Sequence, residues 1–150
     1  MNKSKIISRW LFLLIVLFSL SCKKETTSKS AEELLISNAW KASEVRGQIA
    51  NNPVYYKRGS SGNTINLDNE SIMFKGDGTG IYTDNNQGVS SFTWSFTNPE
   101  KTKLTWNVQF TPVATIYWEI STLKEGSLKY VEYYNQGGTN IFSTEVRIPK

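Results

Sequence analysis

Between residues 89 and 120 the chain alternates with a period of two. Phe92, Trp94 and Phe96 stand opposite Ser91, Thr93, Ser95 and Thr97. Leu104, Trp106, Val108 and Phe110 stand opposite Thr105, Asn107 and Gln109, and Ala114, Ile116, Trp118 and Ile120 form a third row. Successive side chains of a strand point to opposite sides, so this pattern buries one face of a sheet and wets the other. A helix would scatter the same rings round its circumference. The pattern therefore predicts strands over 89–97, 103–110 and 113–120. Further strands are expected at 40–49, 71–75, 79–84, 128–134 and 141–148, with a short one at 54–57.

Turn chemistry falls where these strands need joining. Gly76-Asp77-Gly78-Thr79-Gly80 supplies positive-φ positions for a hairpin. Asn98-Pro99-Glu100-Lys101 suits a type I turn with proline second. Lys124-Glu125-Gly126-Ser127 and Gln136-Gly137-Gly138-Thr139 close two more. Residues 50–66 form the longest irregular stretch, and long loops in compact domains tend to carry function. About eight closely spaced strands point to an all-β antiparallel barrel or sandwich. The order of elements, a helix and then a meander, favours an up-and-down β-barrel. That helix begins at Ser30-Ala31-Glu32-Glu33, a capping box, and is about two turns long, with Leu34, Leu35 and Ile36 as its apolar residues.

The N-terminus reads differently. Lys3, Lys5 and Arg9 precede an apolar run from Trp10 to Leu20, then Ser21 and the single cysteine, Cys22. A basic start, an apolar stretch and a small residue at the junction describe a signal peptide over 1–21. The run is too short for a transmembrane helix, which needs about 20 residues. Phe18-Ser19-Leu20-Ser21-Cys22 resembles the lipobox of bacterial lipoproteins, which implies acylation of Cys22 and a membrane as partner. The plainer alternative is an ordinary signal peptide with an incidental thiol. Residues 22–30 read as a polar tether and 31–150 as one barrel domain.

Composition removes several functions. The leader holds three of the 17 basic residues and none of the 13 acids, so the remainder has 14 against 13. Near-neutral charge argues against nucleic acid as a partner. The chain has no histidine, which removes the commonest general base and metal ligand together. A Ser-His-Asp triad cannot be built. No zinc ligand set is expected, and Asp77 alone lacks the further acids of a calcium loop. Glu119 and Glu132 could pair as acid and base, but Glu119 falls on the face opposite Trp118 and tyrosines flank Glu132 on both faces. No enzyme activity, metal or cofactor is expected.

The segments Leu34-Leu35-Ile36-Ser37-Asn38-Ala39-Trp40-Lys41, Ile72-Met73-Phe74-Lys75-Gly76-Asp77-Gly78-Thr79-Gly80, Phe92-Thr93-Trp94-Ser95-Phe96 and Lys103-Leu104-Thr105-Trp106 resemble, in that order, the lipocalin-like domains of Bacteroidetes-type lipoproteins. The match spans nearly all of residues 31–148. Asn38 stands where lipocalins proper carry glycine. The resemblance implies a barrel of about eight strands, anchored at the outer membrane on its periplasmic or outer side. It also implies a structural plug in which Arg147 stacks on Trp40, the alternative being a surface arginine.

An eight-stranded barrel is either filled by its side chains or holds one small ligand. The expected inward set is Phe74, Phe92, Trp94, Trp106, Phe110, Trp118, Tyr130 and Phe142. Of these, Phe92, Trp94, Trp106, Trp118 and Tyr130 are the candidate ligand-binding residues. Two functions remain open. One is an anchored, monomeric carrier of a small apolar or amphiphilic molecule. The other is an anchored protein- or glycan-interaction module with a filled core.

Overall fold

The computed structural model describes residues 28–108 and 114–150. The leader 1–21, Cys22, most of the tether and Phe110 lie outside the described residues.

Helix α1 (Ala31–Ile36) is capped as its sequence predicts. Ser30 Oγ accepts from Glu33 N at 3.2 Å and Glu33 Oε2 accepts from Ser30 N at 2.7 Å. Nine strands follow among the described residues: β1 (Ala39–Ile49), β2 (Asn52–Lys57), β3 (Ser71–Phe74), β4 (Thr79–Thr83), β5 (Val89–Phe96), β6 (Lys103–Val108), β7 (Ala114–Lys124), β8 (Ser127–Gln136) and β9 (Thr139–Pro149). Each of β3 to β8 pairs antiparallel with the next, and β9 pairs with β1 from Trp40–Pro149 to Ile49–Ile141. β1 and β3 to β9 thus close an eight-stranded barrel. β2 is extra. It folds back on β1 from Glu44–Lys57 to Ile49–Asn52, along the edge whose first residues, Ala39 to Lys41, pair with β3.

Local chemistry accounts for the joints. Asp77 Oδ1 accepts from Thr79 N at 2.9 Å and Thr79 Oγ1 at 2.6 Å, with Gly78 at φ 79°. Gly137 and Gly138 both have positive φ, the type I′ requirement that matches strand twist. Asn98 Oδ1 accepts from Thr102 N and Lys103 N across the β5–β6 turn.

Two bulges reset the alternation. Pairing of β1 with β9 skips Ser43, and pairing of β7 with β8 skips Ser121. Without the first, a period of two from Trp40 and Ala42 would bring Glu44 inward. With it, Val45 is the buried residue.

The half of the barrel nearest α1 is solid. Phe74 sits edge-on to Phe92, Trp94 and Trp118 at centroid distances of 5.4, 5.4 and 5.5 Å. Trp118 stacks on Tyr130 at 3.7 Å. Gly80 makes room for this packing, because a Cβ there would lie 2.1 Å from the Phe92 ring. Leu35 seals the end, and Trp40 Nε1 donates to Leu35 O at 2.8 Å. A second, smaller cluster of Ala42, Val45 and Tyr56 packs under Ile65 and Leu67 of the long β2–β3 connection.

One expectation about the inward face is corrected. Phe142 is 53% exposed, and β9 instead turns Ser143, Glu145 and Arg147 into the barrel. The strand is inverted relative to its hydrophobicity because those polar groups satisfy one another inside.

Candidate functional site

The other half of the barrel holds a cavity of about 300 Å³. Its aliphatic side comes from Val45 and Ile49 of β1, Val54 of β2, Ile65 and Leu67 of the β2–β3 connection, and Ile116 of β7. Its aromatic side is Tyr82, Trp106 and Tyr134. Its polar side consists of Glu70, Glu132, Gln136, Ser143, Glu145 and Arg147.

Four of those polar groups are ionisable and buried, which is stable only if they satisfy one another. Arg147 is the hub. Its Nη1 and Nη2 donate to the two carboxylate oxygens of Glu70 at 2.8 and 2.9 Å, a bidentate pair. Nη2 and Nε also donate to Glu145 Oε2 at 2.9 and 3.2 Å. Glu145 further accepts from Tyr130 Oη at 2.5 Å and from Ser143 Oγ at 3.1 Å. The two carboxylates hold the guanidinium firmly charged, while burial pushes Glu70 up against the pull of Arg147.

Glu132 stands apart from this cluster. Its Oε2 accepts from Trp118 Nε1 at 2.6 Å, and Oε1 accepts no hydrogen bond from the described residues. Burial, and next the Glu145 charge, push its carboxyl up to about 8; the Trp118 bond and Arg147 oppose them only in part. Trp106 carries the other unusual group. Its buried Nε1 finds no acceptor among the described residues, at a cost of about 1–3 kcal/mol.

All five candidate ligand-binding residues are buried, but only Trp106 of them lines the cavity. Phe92, Trp94, Trp118 and Tyr130 fill the solid half. Trp118 and Tyr130 reach the site indirectly, through their bonds to Glu132 and Glu145. Glu119 lies on the outer face, 3.4 Å from Lys103 Nζ. The plug is built differently from the expected stack. Trp40 is buried beside α1, and the ring facing the Arg147 guanidinium is Tyr130, at 5.9 Å. Sequence reasoning passed over Glu70 and Glu145. An acid alternating inward beside Arg147 was the available signal for Glu145; Glu70, in a connection, offered none.

The β2–β3 connection is held over the site by Arg58. Its Nε donates to Ala42 O at 2.8 Å, and Nη1 and Nη2 to Asp68 O and Leu67 O at 3.0 and 3.3 Å. Tyr56 Oη donates to Asp68 Oδ1 at 2.8 Å, and burial, joined by that bond, raises the phenol to about 12. Among the described residues no group of three or more His, Cys, Asp or Glu side chains could hold a metal ion.

No protein-family model and no curated protein matches this chain.

Proposed function

We propose that the chain is a lipid-anchored lipoprotein of the bacterial outer membrane. Its barrel, resembling the lipocalin-like domains, binds one small amphiphilic molecule without transforming it. The observation that carries this reading is the cavity itself. Its volume of about 300 Å³ falls at the small end of ligand sites, and it combines an aliphatic side with a few convergent polar groups. Filling the same half with more side chains would have been the simpler way to stabilise a barrel. A monomer that faces either the periplasm or the exterior fits the reading.

Trp106 reports on occupancy. Titrating the protein with a hydrophobic dye should change its tryptophan emission in a saturable way, and a strictly linear response would count against the reading. The anchor is tested separately. Cys22→Ala should release the protein from membranes, because two or more acyl chains hold a protein stably where none does. Retention of the variant in the membrane pellet would refute acylation at Cys22.

A second reading has its own observation. Tyr117, Tyr133 and Phe142 lie directly opposite one another on the outer faces of β7, β8 and β9, all exposed. The two tyrosine rings are stacked at 5.1 Å and 7°. Such a row of rings suits a protein or glycan contact. Loss of binding to envelope glycans in a Tyr133→Ala variant, with dye titration unchanged, would favour it.

A further inference from the structure

We propose that the cavity is selective for a small alkylammonium, with the charged nitrogen against Glu132 and the hydrocarbon between Val45, Ile49, Ile65 and Leu67. This deepens the binding reading above and rests on it.

The argument starts from a charge count. Three carboxyl groups, Glu70, Glu132 and Glu145, face the cavity with one guanidinium, Arg147. Arg147 directs four hydrogen bonds to Glu70 and Glu145, at 2.8 to 3.2 Å, and has no donor on Glu132. The third acid is therefore left with one neutral donor, Trp118 Nε1, and with Oε1 unpartnered among the described residues. Once it loses its proton, a buried carboxylate in that position lacks a cation.

The walls next to it suit one. Trp106, Tyr82 and Tyr134 line the same cavity, and aromatic faces attract ammonium groups most strongly where water is excluded. An ammonium also brings several N–H donors, enough to meet Oε1 of Glu132. A carboxylate ligand meets the opposite situation, an acid surplus with its only guanidinium already engaged. A neutral alcohol gains a hydrogen bond but no charge pairing. The aliphatic residues of β1 and the β2–β3 connection accept a short chain, which separates an alkylammonium from a bare metal or inorganic cation.

Binding should be linked to protons. The groups facing Glu132 are Trp118 from β7, Tyr130 and Tyr134 from its own strand, Glu145 and Arg147 from β9, Tyr82 from β4 and Glu70 from the connection before β3. Below about pH 8 this carboxyl holds its proton, and an arriving ammonium must displace it. Affinity should accordingly rise from pH 6 to 8.5 with release of one proton.

Isothermal titration of the purified full chain at pH 8 with hexylamine, hexanol and hexanoate tests the selectivity at constant chain length. Hexylammonium should bind at least tenfold more tightly than hexanol, with hexanoate weakest. Glu132→Gln should bring the hexylamine-to-hexanol ratio near one and remove its rise with pH. Hexanol or hexanoate binding as well as the amine would overturn the ammonium inference while leaving the cavity a binding site. Binding of none of the three would overturn the inference and the carrier reading together. The three-probe comparison on the unaltered chain decides the matter even where the variant does not fold.

Discussion

Trp118 donates its indole N–H to Glu132 across the β7–β8 pair at 2.6 Å, inside the barrel, and that bond is the only one the Glu132 carboxyl receives from the described residues. Burial raises the carboxyl from the ordinary value of 4.5 to about 8, so the folded protein binds a proton there that the unfolded chain releases. Stability from this group is complete at low pH and declines as the pH climbs from about 4.5 to 8. Glu132→Gln keeps the shape and the acceptor without the charge. Urea unfolding should find the variant within about 1 kcal/mol of the parent at pH 5 and more stable than the parent at pH 9. A parallel decline in both proteins would show that Glu132 is not the source.

Removing the hub of the buried cluster should be costly. Arg147→Met leaves Glu70 and Glu145 without their cation, and breaking a buried pair costs about 3–5 kcal/mol. The triple variant Glu70→Gln, Glu145→Gln, Arg147→Met should recover much of that loss. Equal midpoints for the single and triple variants would mean that the loss is one of packing.

The two indoles at the site should respond unequally. Trp118→Phe deletes a donor that Glu132 uses, whereas Trp106→Phe deletes one with no acceptor among the described residues. The volumes removed are the same. Thermal unfolding should therefore show Trp106→Phe to be milder by about 1–2 kcal/mol. The reverse order would indicate that Trp106 Nε1 has a partner in the folded protein.

Gly80 is a packing requirement. An added methyl would meet the Phe92 ring, which is itself held between Phe74 and Trp106. Gly80→Ala should cost about 1–3 kcal/mol by overpacking. Shortening the obstacle, in the double variant with Phe92→Leu, should make the alanine markedly less harmful, as a double-mutant cycle would measure.

The barrel was legible because its signals are local. Phe92, Trp94, Leu104, Trp106, Ile116 and Trp118 alternate cleanly, and Asp77-Gly78, Asn98-Pro99 and Gly137-Gly138 mark joints by turn chemistry alone. The strand after Ala50 was expected to be shorter, and it begins at Asn52. The cavity half was less legible, for two physical reasons. Its polar groups come from β8, β9 and the connection before β3, up to 77 residues apart in the Glu70–Arg147 pair, so no window of sequence contains the cluster. Its hydrophobic pattern is also misleading. On β9 the apolar Phe142 faces water while Ser143, Glu145 and Arg147 face in, which reverses the usual inference from alternation.

The closing of β9 on β1 leaves β2 as the one supernumerary strand, and its far side is already engaged: Thr64 N donates to Tyr55 O at 2.9 Å and Thr64 Oγ1 accepts from Tyr55 N at 2.7 Å. Two copies brought shoulder to shoulder therefore meet, among the described residues, no long row of vacant amides along which to zip. An edge closed in this way gives edge-to-edge fibril growth little to build on.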